Sequence, residues 1–242
     1  MTEPKGYFIS GTDTGVGKTV VTACMLAFYR KHSINTGIMK PIETGVDPNC
    51  SSEANSDAKF LLTVSGNQDT LEEVCPIRLK PTAAPLQAAR MQDQSLNIDS
   101  ILENFHKLQR KYDQVLVEGI GGLLVPLKAD YLVSDLIKEM QLPLIIVSRF
   151  SLGTLNHTLL TLKAAQVATI EIAGIILNHP ENRPLSGVEL GQKSLIEELS
   201  GVPVIGQCPF LSSISAEQFN NKFVEKIECW KLFDKLTYPL SN

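Results

Sequence analysis

The 242-residue chain lacks the features that mark membrane, secreted and nucleic-acid-binding proteins. It has no apolar run near the ~20 residues that a membrane-spanning helix needs. Its net charge of −4 is opposite in sign to the basic surface of general nucleic-acid or membrane-surface binders. Residues 1–5 are too polar for a secretory signal, so we expect a cytoplasmic protein with no membrane or nucleic-acid partner.

Cysteines are few and scattered. Five occur, none in a C-x-x-C pair, at Cys24, Cys50, Cys75, Cys208 and Cys229. A dispersed, odd-numbered set predicts reduced thiols in the cytoplasm rather than a disulfide framework. It also disfavours a metal site built on cysteine, because such sites use tightly paired ligands.

Short apolar runs alternate with stretches of helical periodicity along the chain. Strands are predicted at residues 7–10, 37–39, 113–118, 144–147, 172–177 and 202–205. Helices are predicted at residues 18–31, 57–65, 82–91, 98–111, 155–166 and 187–199. This alternation predicts an α/β fold in one domain, residues 1–242, with a mostly parallel central sheet and helices on both faces.

Two segments lie outside this alternation. The polar stretch from Glu43 to Ser56 predicts a loop over a site. Residues 217–236 carry aromatic and aliphatic side chains at helical spacing. That stripe predicts a C-terminal helix packed on the domain rather than a binding surface.

A glycine-rich loop joins the first predicted strand to the first helix. It reads Gly11-Thr12-Asp13-Thr14-Gly15-Val16-Gly17-Lys18-Thr19. Gly15 and Gly17 let backbone N–H groups turn toward an anion, and the helix start adds the positive end of its dipole. Lys18 would reach the β- and γ-phosphates, and the Thr19 hydroxyl would bind Mg²⁺. The loop predicts a P-loop NTPase-like fold.

The loop departs by one residue from the common pattern G-x-x-x-x-G-K-[ST]. Thr12 stands where that pattern has glycine, and Gly11 comes one position earlier. The Gly-Lys-Thr sequence still lies between a strand and a helix. We therefore interpret the segment as a phosphate-binding loop and not as a loop that only resembles one.

Charged residues follow the predicted strands, at the edge where parallel α/β sheets bind ligands. Glu118 is suited to hold Mg²⁺, with a loop carboxylate as the simpler alternative. Asp57 by itself is best interpreted as a helix cap. Lys40 would neutralise a phosphoryl group or lie as a surface lysine. Residues 151–157 would offer a second anion site or an ordinary capped helix. These features predict an enzyme or switch that uses Mg²⁺ and ATP, without naming a substrate.

Several blocks together resemble the dethiobiotin synthetase family over nearly the whole chain. They are, in the family's order, Gly11–Thr19, Lys40-Pro41-Ile42-Glu43-Thr44-Gly45, Asn55-Ser56-Asp57, Pro81-Thr82-Ala83-Ala84-Pro85, Val117-Glu118-Gly119 and Leu152-Gly153-Thr154-Leu155-Asn156-His157. The combination is much more specific than any block alone.

The resemblance implies an ATP-dependent ring closure in biotin synthesis. Its substrates would be 7,8-diaminopelargonic acid, CO₂ and ATP, with Mg²⁺ as cofactor. One amine captures CO₂ as a carbamate, ATP phosphorylates the carbamate, and the second amine closes the cyclic urea. ADP and phosphate are released with dethiobiotin.

The resemblance also implies roles for individual residues. The implied catalytic residues are Lys40, Lys18 and Thr12, and the implied metal ligands are Thr19, Asp57 and Glu118. The nucleotide would be held by Thr14, Gly15, Val16, Gly17, Lys18, Thr19, Asp57, Glu118, Gly119, Gly121, Asn178, Pro209, Phe210 and Leu211, with Glu217 nearby. The substrate site would include Thr44, Gly153, Thr154, Leu155 and Asn156.

The resemblance further implies a homodimer in which each active site needs two chains. The helix start at Gly153–Asn156 would bind the substrate carboxylate across the interface. Arg149 stands where an uncharged residue is expected, and it would pair with an acidic residue of the second copy or add to carboxylate binding. Asn178 can hydrogen-bond more than one base edge, so ATP, CTP and GTP stay open.

Two other enzyme or switch classes share a phosphate loop. A P-loop synthetase with a glutaminase domain would need a longer chain than this one. A chromosome-partitioning or septum-site ATPase would carry K-G-G-x-G-K-T, and Asp13 stands at the place of its signature lysine. An inactive paralogue is disfavoured by the intact Lys18, Thr19, Lys40 and Glu118.

Overall fold

The computed structural model describes residues 6–47, 56–179, 181–212, 215–219, 223 and 225. Its strands are β1 (Gly6–Gly11), β2 (Thr36–Met39), β3 (Ile42–Thr44), β4 (Ile77–Leu79), β5 (Gln114–Glu118), β6 (Pro126–Lys128), β7 (Tyr131–Leu132), β8 (Leu144–Arg149), β9 (Ile172–Asn178) and β10 (Val204–Cys208). Its helices are α1 (Lys18–Lys31), α2 (Asp57–Ser65), α3 (Leu71–Val74), α4 (Pro85–Met91), α5 (Ile98–Lys111), α6 (Val133–Met140), α7 (Thr154–Val167) and α8 (Gly187–Ser200), followed by a 3₁₀ turn at Ala216–Gln218.

Six strands form one central sheet in the order β10-β9-β8-β1-β5-β2. Every neighbouring pair in it is parallel. Two small sheets stand apart from it, parallel β3-β4 and antiparallel β6-β7. The predicted α/β class with a mostly parallel sheet is confirmed.

Alternate residues of each central strand enter two separate cores. Phe8, Val115 and Val117 belong to the core that includes side chains of α4 to α8. Ile9 and Leu116 belong to the core beneath α1, α2 and α3. Because successive side chains of a strand point to opposite faces, helices cover the sheet on both sides. Burial of each large aliphatic side chain contributes about 1.5–3 kcal/mol.

Local sequence signals account for several helix boundaries. Asn97 caps α5 by accepting the Ser100 N–H at 3.2 Å. Gly66 ends α2 at φ 72°, a conformation that glycine adopts without strain. Helices α1, α2 and α5 have the bounds that were predicted.

Other predicted boundaries were wrong by a few residues, and short elements were missed. The helix predicted from residue 82 begins at Pro85, and the strand predicted from residue 202 begins at Val204. The predicted loop from residue 43 includes part of β3, while residues 48–55 lie outside the described ranges. Strands β3, β4, β6 and β7 and helix α3 are too short for a clear periodic pattern. Helix α6 was missed although its buried residues Val133, Leu136, Ile137 and Met140 have helical spacing.

Two composition-based expectations can be compared with the described residues. Cys24, Cys75 and Cys208 are buried free thiols, and Cys50 and Cys229 lie outside the described ranges. In the described part of the chain, no helix is both long and apolar enough to cross a bilayer. Most of the predicted C-terminal helix, residues 217–236, also lies outside the described ranges.

Candidate active site

The site lies at the carboxyl edge of the central sheet. The phosphate loop follows β1, which is paired between β5 and β8. Lys40 follows β2, Glu118 ends β5, Arg149 ends β8 and Asn178 ends β9. Because all these strands are parallel, their carboxyl ends bring residues distant in sequence to one edge.

The phosphate loop has the backbone conformation that its glycines predict. Gly15 and Gly17 have φ angles of 71° and 96°, in the left-handed region. A Cβ on Gly17 would also lie 2.0 Å from Asn178 Nδ2, so only glycine fits there. Helix α1 begins at the next residue, Lys18, which leaves the first amides of the helix free of intrahelical partners.

Lys18 is buried inside this loop, where its Nζ donates to the Asp13 carbonyl at 3.1 Å. Burial lowers the pKa of Lys18 to about 8, and Lys40 adds to the lowering while Glu118 and Asp57 oppose it. An anion bound in the loop would favour the charged lysine. The Lys18 amine is therefore suited to take up a proton when a phosphate ligand binds.

Lys40 and Glu118 form a buried ion pair beside the loop. Lys40 Nζ lies 2.6 Å from Glu118 Oε1 and 3.2 Å from Asp57 Oδ2. The side chains of Lys40 and Glu118 are 4% and 0% exposed, so Lys40 is not a surface lysine and Glu118 is not a solvated loop carboxylate. Burial by itself lowers the pKa of Lys40, but Glu118, Asp57 and the hydrogen bond to Glu118 raise it overall.

Oxygen atoms suited to a hard cation meet at this ion pair. Thr19 Oγ1 donates to Glu118 Oε1 at 2.9 Å, and Asp57 Oδ2 lies 3.2 Å from Lys40 Nζ. Glu118 Oε2 is buried and has no hydrogen-bond partner among the described residues. Mg²⁺ is bound through one or two carboxylates together with phosphate oxygens, and this donor set fits that chemistry. The described residues contain no group of three or more His, Cys, Asp or Glu side chains arranged for a metal.

Asp57 is the first residue of α2, and Ser56 is the N-cap. The interpretation of Asp57 as a cap was therefore wrong by one residue, since the Ser56 side chain accepts the Lys59 N–H. Glu43 was not identified from the sequence, yet its carboxylate accepts from Ser56 Oγ at 2.8 Å and from Asp57 N at 2.5 Å. Burial raises the pKa of Glu43, although its hydrogen bond with Ser56 and the nearby Lys40 lower it. No sequence signal singles it out, because its partners lie on another element.

A chain of hydroxyl groups connects the loop to α7. Ser148 Oγ lies 3.4 Å from Thr12 Oγ1, 2.7 Å from Thr154 Oγ1 and 2.8 Å from Thr158 Oγ1. Thr154 and Thr158 are buried. Two predicted site residues, Thr12 and Thr154, are thus joined through Ser148, which the sequence did not indicate.

The start of α7 is otherwise open to solvent. Gly153 is left-handed at φ 90°, and a Cβ placed on it would have no atom within 4 Å. Leu152 is 85% exposed, and Asn156 is exposed on the first turn. The Thr154 N–H donates to the Ser151 carbonyl at 3.1 Å, whereas the N–H groups of Leu155 and Asn156 in the first turn remain accessible to a ligand or to a second chain.

A cavity of about 690 Å³ lies beyond β9 and β10. Pro209 and Phe210 line it, together with Phe150, His179 and Arg183. Leu211, predicted beside them, is partly buried against the core under α1. Asn178 does not line the cavity, and its Nδ2 donates to the Val16 carbonyl at 2.9 Å.

The remaining predicted residues lie near the loop or at its margin. Gly121 O accepts the Gly11 N–H at 3.3 Å, and Gly119 N donates to Ile9 O at 2.9 Å, so both follow β5 beside the phosphate loop. Thr44 ends β3. Glu217 lies in the 3₁₀ turn.

Comparison with known sequences identifies close relatives. The profile of a family described as an AAA domain matches residues 5–218. The ATP-dependent dethiobiotin synthetase of Thermodesulfovibrio yellowstonii is 39% identical over 230 residues, covering 92% of this chain and 96% of the relative. The enzyme of the same description from Bacillus subtilis strain 168 is 37% identical over 213 residues, covering 88% and 90%.

Solved structures resemble the chain in fold. A ParA family ATPase from Chlorobium tepidum has a TM-score of 0.55 at 15% identity, with coverage of 94% of this chain and 98% of that chain. The MinC:MinD cell division complex of Aquifex aeolicus also reaches 0.55, at 11% identity and with coverage of 94% and 92%. At these identities the likeness concerns the P-loop NTPase fold alone.

Proposed function

Because the chain belongs to the dethiobiotin synthetase family, we propose that it forms dethiobiotin from 7,8-diaminopelargonic acid, CO₂ and ATP. The contact of 2.6 Å between buried Lys40 and Glu118, beside the phosphate loop, carries the proposal. It supplies a desolvated cation at the place where a phosphoryl group would be transferred. The buried thiols favour a reducing cytoplasm as the location.

The reaction brings two anions together, the carbamate of the substrate and the γ-phosphate of ATP. Lys18 and Lys40 oppose that repulsion from two sides, and burial strengthens their effect. Lys40 stays protonated at neutral pH, because its carboxylate partners raise its pKa. Thr19, Asp57 and Glu118 would hold Mg²⁺, which would supply positive charge to the phosphates.

Positioning supplies much of the remaining catalysis. The amides of residues 14–19 hold the phosphates, while Thr12 and Thr44 offer hydroxyl groups to the diamine and carbamate. Ser148 orients Thr12 through the contact between their hydroxyls. Once the carbamate is phosphorylated, the second amine attacks within the same molecule, and well-oriented intramolecular reactions reach effective molarities of roughly 10⁵ M or more.

The cavity lined by Pro209 and Phe210 is suited to the nucleobase, since it adjoins the carboxyl ends of β9 and β10. Gly119 and Gly121 complete the phosphate side of the nucleotide site. Asn178, Leu211 and Glu217 are proposed at the margin of the same site. ATP is the proposed nucleotide because the relatives of this chain are described as ATP-dependent.

The open start of α7 supports a substrate site completed by a second copy of the chain. Gly153, Thr154, Leu155 and Asn156 would form the site for the substrate carboxylate. The backbone N–H groups of Leu155 and Asn156, the side-chain amide of Asn156 and the positive end of the helix dipole would bind it. Replacing Asn156 with Ala should raise the KM of the diamine about tenfold and leave that of ATP unchanged. Gln166→Ala, at the exposed far end of α7, is the control. Equal loss for both substrates would contradict the carboxylate site.

The decisive experiment measures ADP release with MgATP and bicarbonate, with and without 7,8-diaminopelargonic acid. We expect release that depends strongly on the diamine, together with a cyclic urea identified by mass spectrometry. Release that ignores the diamine would refute the synthetase proposal and favour a partitioning-type switch ATPase. Lys40→Ala should lose this diamine-dependent release, and Lys59→Ala, at an exposed lysine on α2, is the control for removal of a charge.

A further inference from the structure

Two polar side chains of neighbouring strands meet the outside of the phosphate loop. Arg149 ends β8 and Asn178 ends β9, and the two residues are register partners in the sheet. Arg149 Nη2 donates to the Thr14 carbonyl at 3.0 Å, and Asn178 Nδ2 donates to the Val16 carbonyl at 2.9 Å. Alternate carbonyls of the loop are therefore held by one pair of strand ends.

The geometry of the peptide bond gives these contacts a consequence. In a trans peptide the carbonyl and the following N–H point in opposite directions. Drawing the Thr14 carbonyl toward β8 turns the Gly15 N–H away from β8, toward the interior of the loop. Drawing the Val16 carbonyl toward β9 does the same for the Gly17 N–H. Gly15 and Gly17 have the left-handed φ angles that this orientation needs.

Arg149 differs from Asn178 in exposure and charge. Asn178 is 4% exposed, whereas Arg149 is exposed. A Cβ on Gly15 would lie 3.5 Å from Arg149 Nη2, so the guanidinium also covers the flexible glycine of the loop. A cation there brings positive charge to a loop whose ligand is a polyphosphate.

We propose that Arg149 is a positioning residue of the phosphate loop, which orients the Gly15 amide through the Thr14 carbonyl and so strengthens the binding of nucleotide phosphates. This inference rests on the proposed nucleotide site. It assigns Arg149 to the phosphate side of its own chain rather than to the substrate carboxylate.

The test uses Arg149→Met, which keeps the length of the side chain but removes its donors and its charge, and Arg149→Lys, which keeps a charged donor. Dissociation constants for MgATP, MgADP and adenosine are measured by calorimetry, and KM values for ATP and the diamine by steady-state kinetics. Arg110→Met is the matched control. Arg110 is exposed in the last turn of α5, at the opposite edge of the sheet.

We expect Arg149→Met to weaken MgATP and MgADP about tenfold, the worth of one charge-assisted hydrogen bond. Adenosine affinity, the KM of the diamine and the melting temperature should stay unchanged. Arg149→Lys should recover most of the phosphate-dependent affinity, and Arg110→Met should match wild type. This selective loss with rescue is not expected of a residue that only supports the fold.

Three results would overturn the inference. Unchanged MgATP and MgADP binding in Arg149→Met would remove the role in the loop. Equal weakening of adenosine would indicate general damage to the site, and a raised KM for the diamine alone would place Arg149 at the substrate carboxylate. Failure of the wild-type protein to bind MgATP would instead contradict the proposed nucleotide site, so the two failures are distinguishable.

Discussion

Two charged clusters lie at opposite edges of the central sheet and differ in how their carboxylates are satisfied. At the amino edge, Asp69 accepts from Lys111 Nζ with one oxygen and from the Tyr112 hydroxyl with the other, both at 2.5 Å. At the carboxyl edge, Lys40 and Thr19 both donate to Oε1 of Glu118. Glu118 Oε2 has no partner among the described residues.

The difference separates a structural network from a site that is completed by a ligand. A buried polar atom without a partner costs about 1–3 kcal/mol, and a ligand that bonds to it recovers that cost. Asp69 needs nothing further, and its bonds join the segment before α3 to the residues that precede β5. In the proposed function, the unpartnered oxygen of Glu118 would bind a cation, and Glu118 would hold Lys40 where a phosphoryl group would arrive.

The largest expected effect comes from Lys40→Ala. Turnover of the diamine should fall by about 10³-fold or more, because a buried cation at the transferred phosphoryl group is lost. MgATP should still bind, because Lys18 and the loop amides remain. Product formation and calorimetric ATP binding are measured beside Lys59→Ala, which should match wild type. Near-normal turnover in Lys40→Ala would indicate that Lys40 has a structural role, like the cluster around Asp69, and no role in the reaction.

The variant Glu43→Gln tests whether the Glu43 carboxylate, which is fully hydrogen-bonded beside the site, supports Mg²⁺ binding by positioning Asp57. Glu43 holds the first backbone amide of α2, so its neutral analogue should loosen Asp57 without unfolding the protein. We expect the Mg²⁺ concentration for half-maximal activity to rise about tenfold, as for other residues that orient metal ligands. Mn²⁺ binding followed by electron paramagnetic resonance should weaken in parallel. Unchanged metal affinity would assign Glu43 to stability alone.

In contrast to the Lys40 and Glu43 variants, Asp69→Asn should lower stability and leave activity unchanged. Loss of the charged acceptor should lower the free energy of unfolding by about 1–3 kcal/mol, while the activity of the folded protein stays unchanged. Urea denaturation and turnover per folded molecule are measured together. Asp93→Asn, at an exposed residue, provides the control. If Asp69→Asn lost turnover but not stability, the cluster at the amino edge would not be purely structural, and the contrast with the site at the carboxyl edge would be wrong.

The smallest effect concerns alkaline pH. Burial, together with the hydrogen bond to Asp69, raises the pKa of Tyr112 to about 12 from an ordinary value of 10.0. The protonated hydroxyl therefore contributes stability below pH 10, and that contribution is lost as pH rises toward about 12. Wild type should exceed Tyr112→Phe in stability at about pH 8 and lose that advantage near about pH 12. A constant difference across this range would contradict the assignment.

Long elements and the phosphate loop were predictable because their signals are local. Helix α1 follows from the sequence Gly17-Lys18-Thr19 and the apolar residues after it, and β8 from an uninterrupted apolar run. Family resemblance placed Lys40, Asp57 and Glu118 in one site, and the structure brings both carboxylates within 3.2 Å of Lys40 Nζ. The role of each in turnover stays a prediction.

Contacts between distant elements were not predictable. Glu43 contacts the start of α2 across a loop, and Ser148 joins Thr12 to α7. Glu43 lies in a block that resembles the family, but the block does not indicate this contact, and Ser148 lies in none of the blocks. The three-residue strands β3 and β4 pair with each other and bury Ile42 and Leu79 in the core. Such contacts depend on which distant segments the fold brings together, and the periodicity of a short stretch of sequence does not encode this.

The amino-acid sequence alone determined the α/β class, the phosphate loop and the residues that resemble one synthetase family, because strand periodicity, glycine positions and motif order are properties of the linear chain. The tertiary structure decided that Lys40 is buried against Glu118, that Asp69 is fully bonded and that Arg149 contacts the Thr14 carbonyl. Those facts depend on parallel strands bringing distant residues to a shared edge, where burial makes each charge and each missing hydrogen bond count.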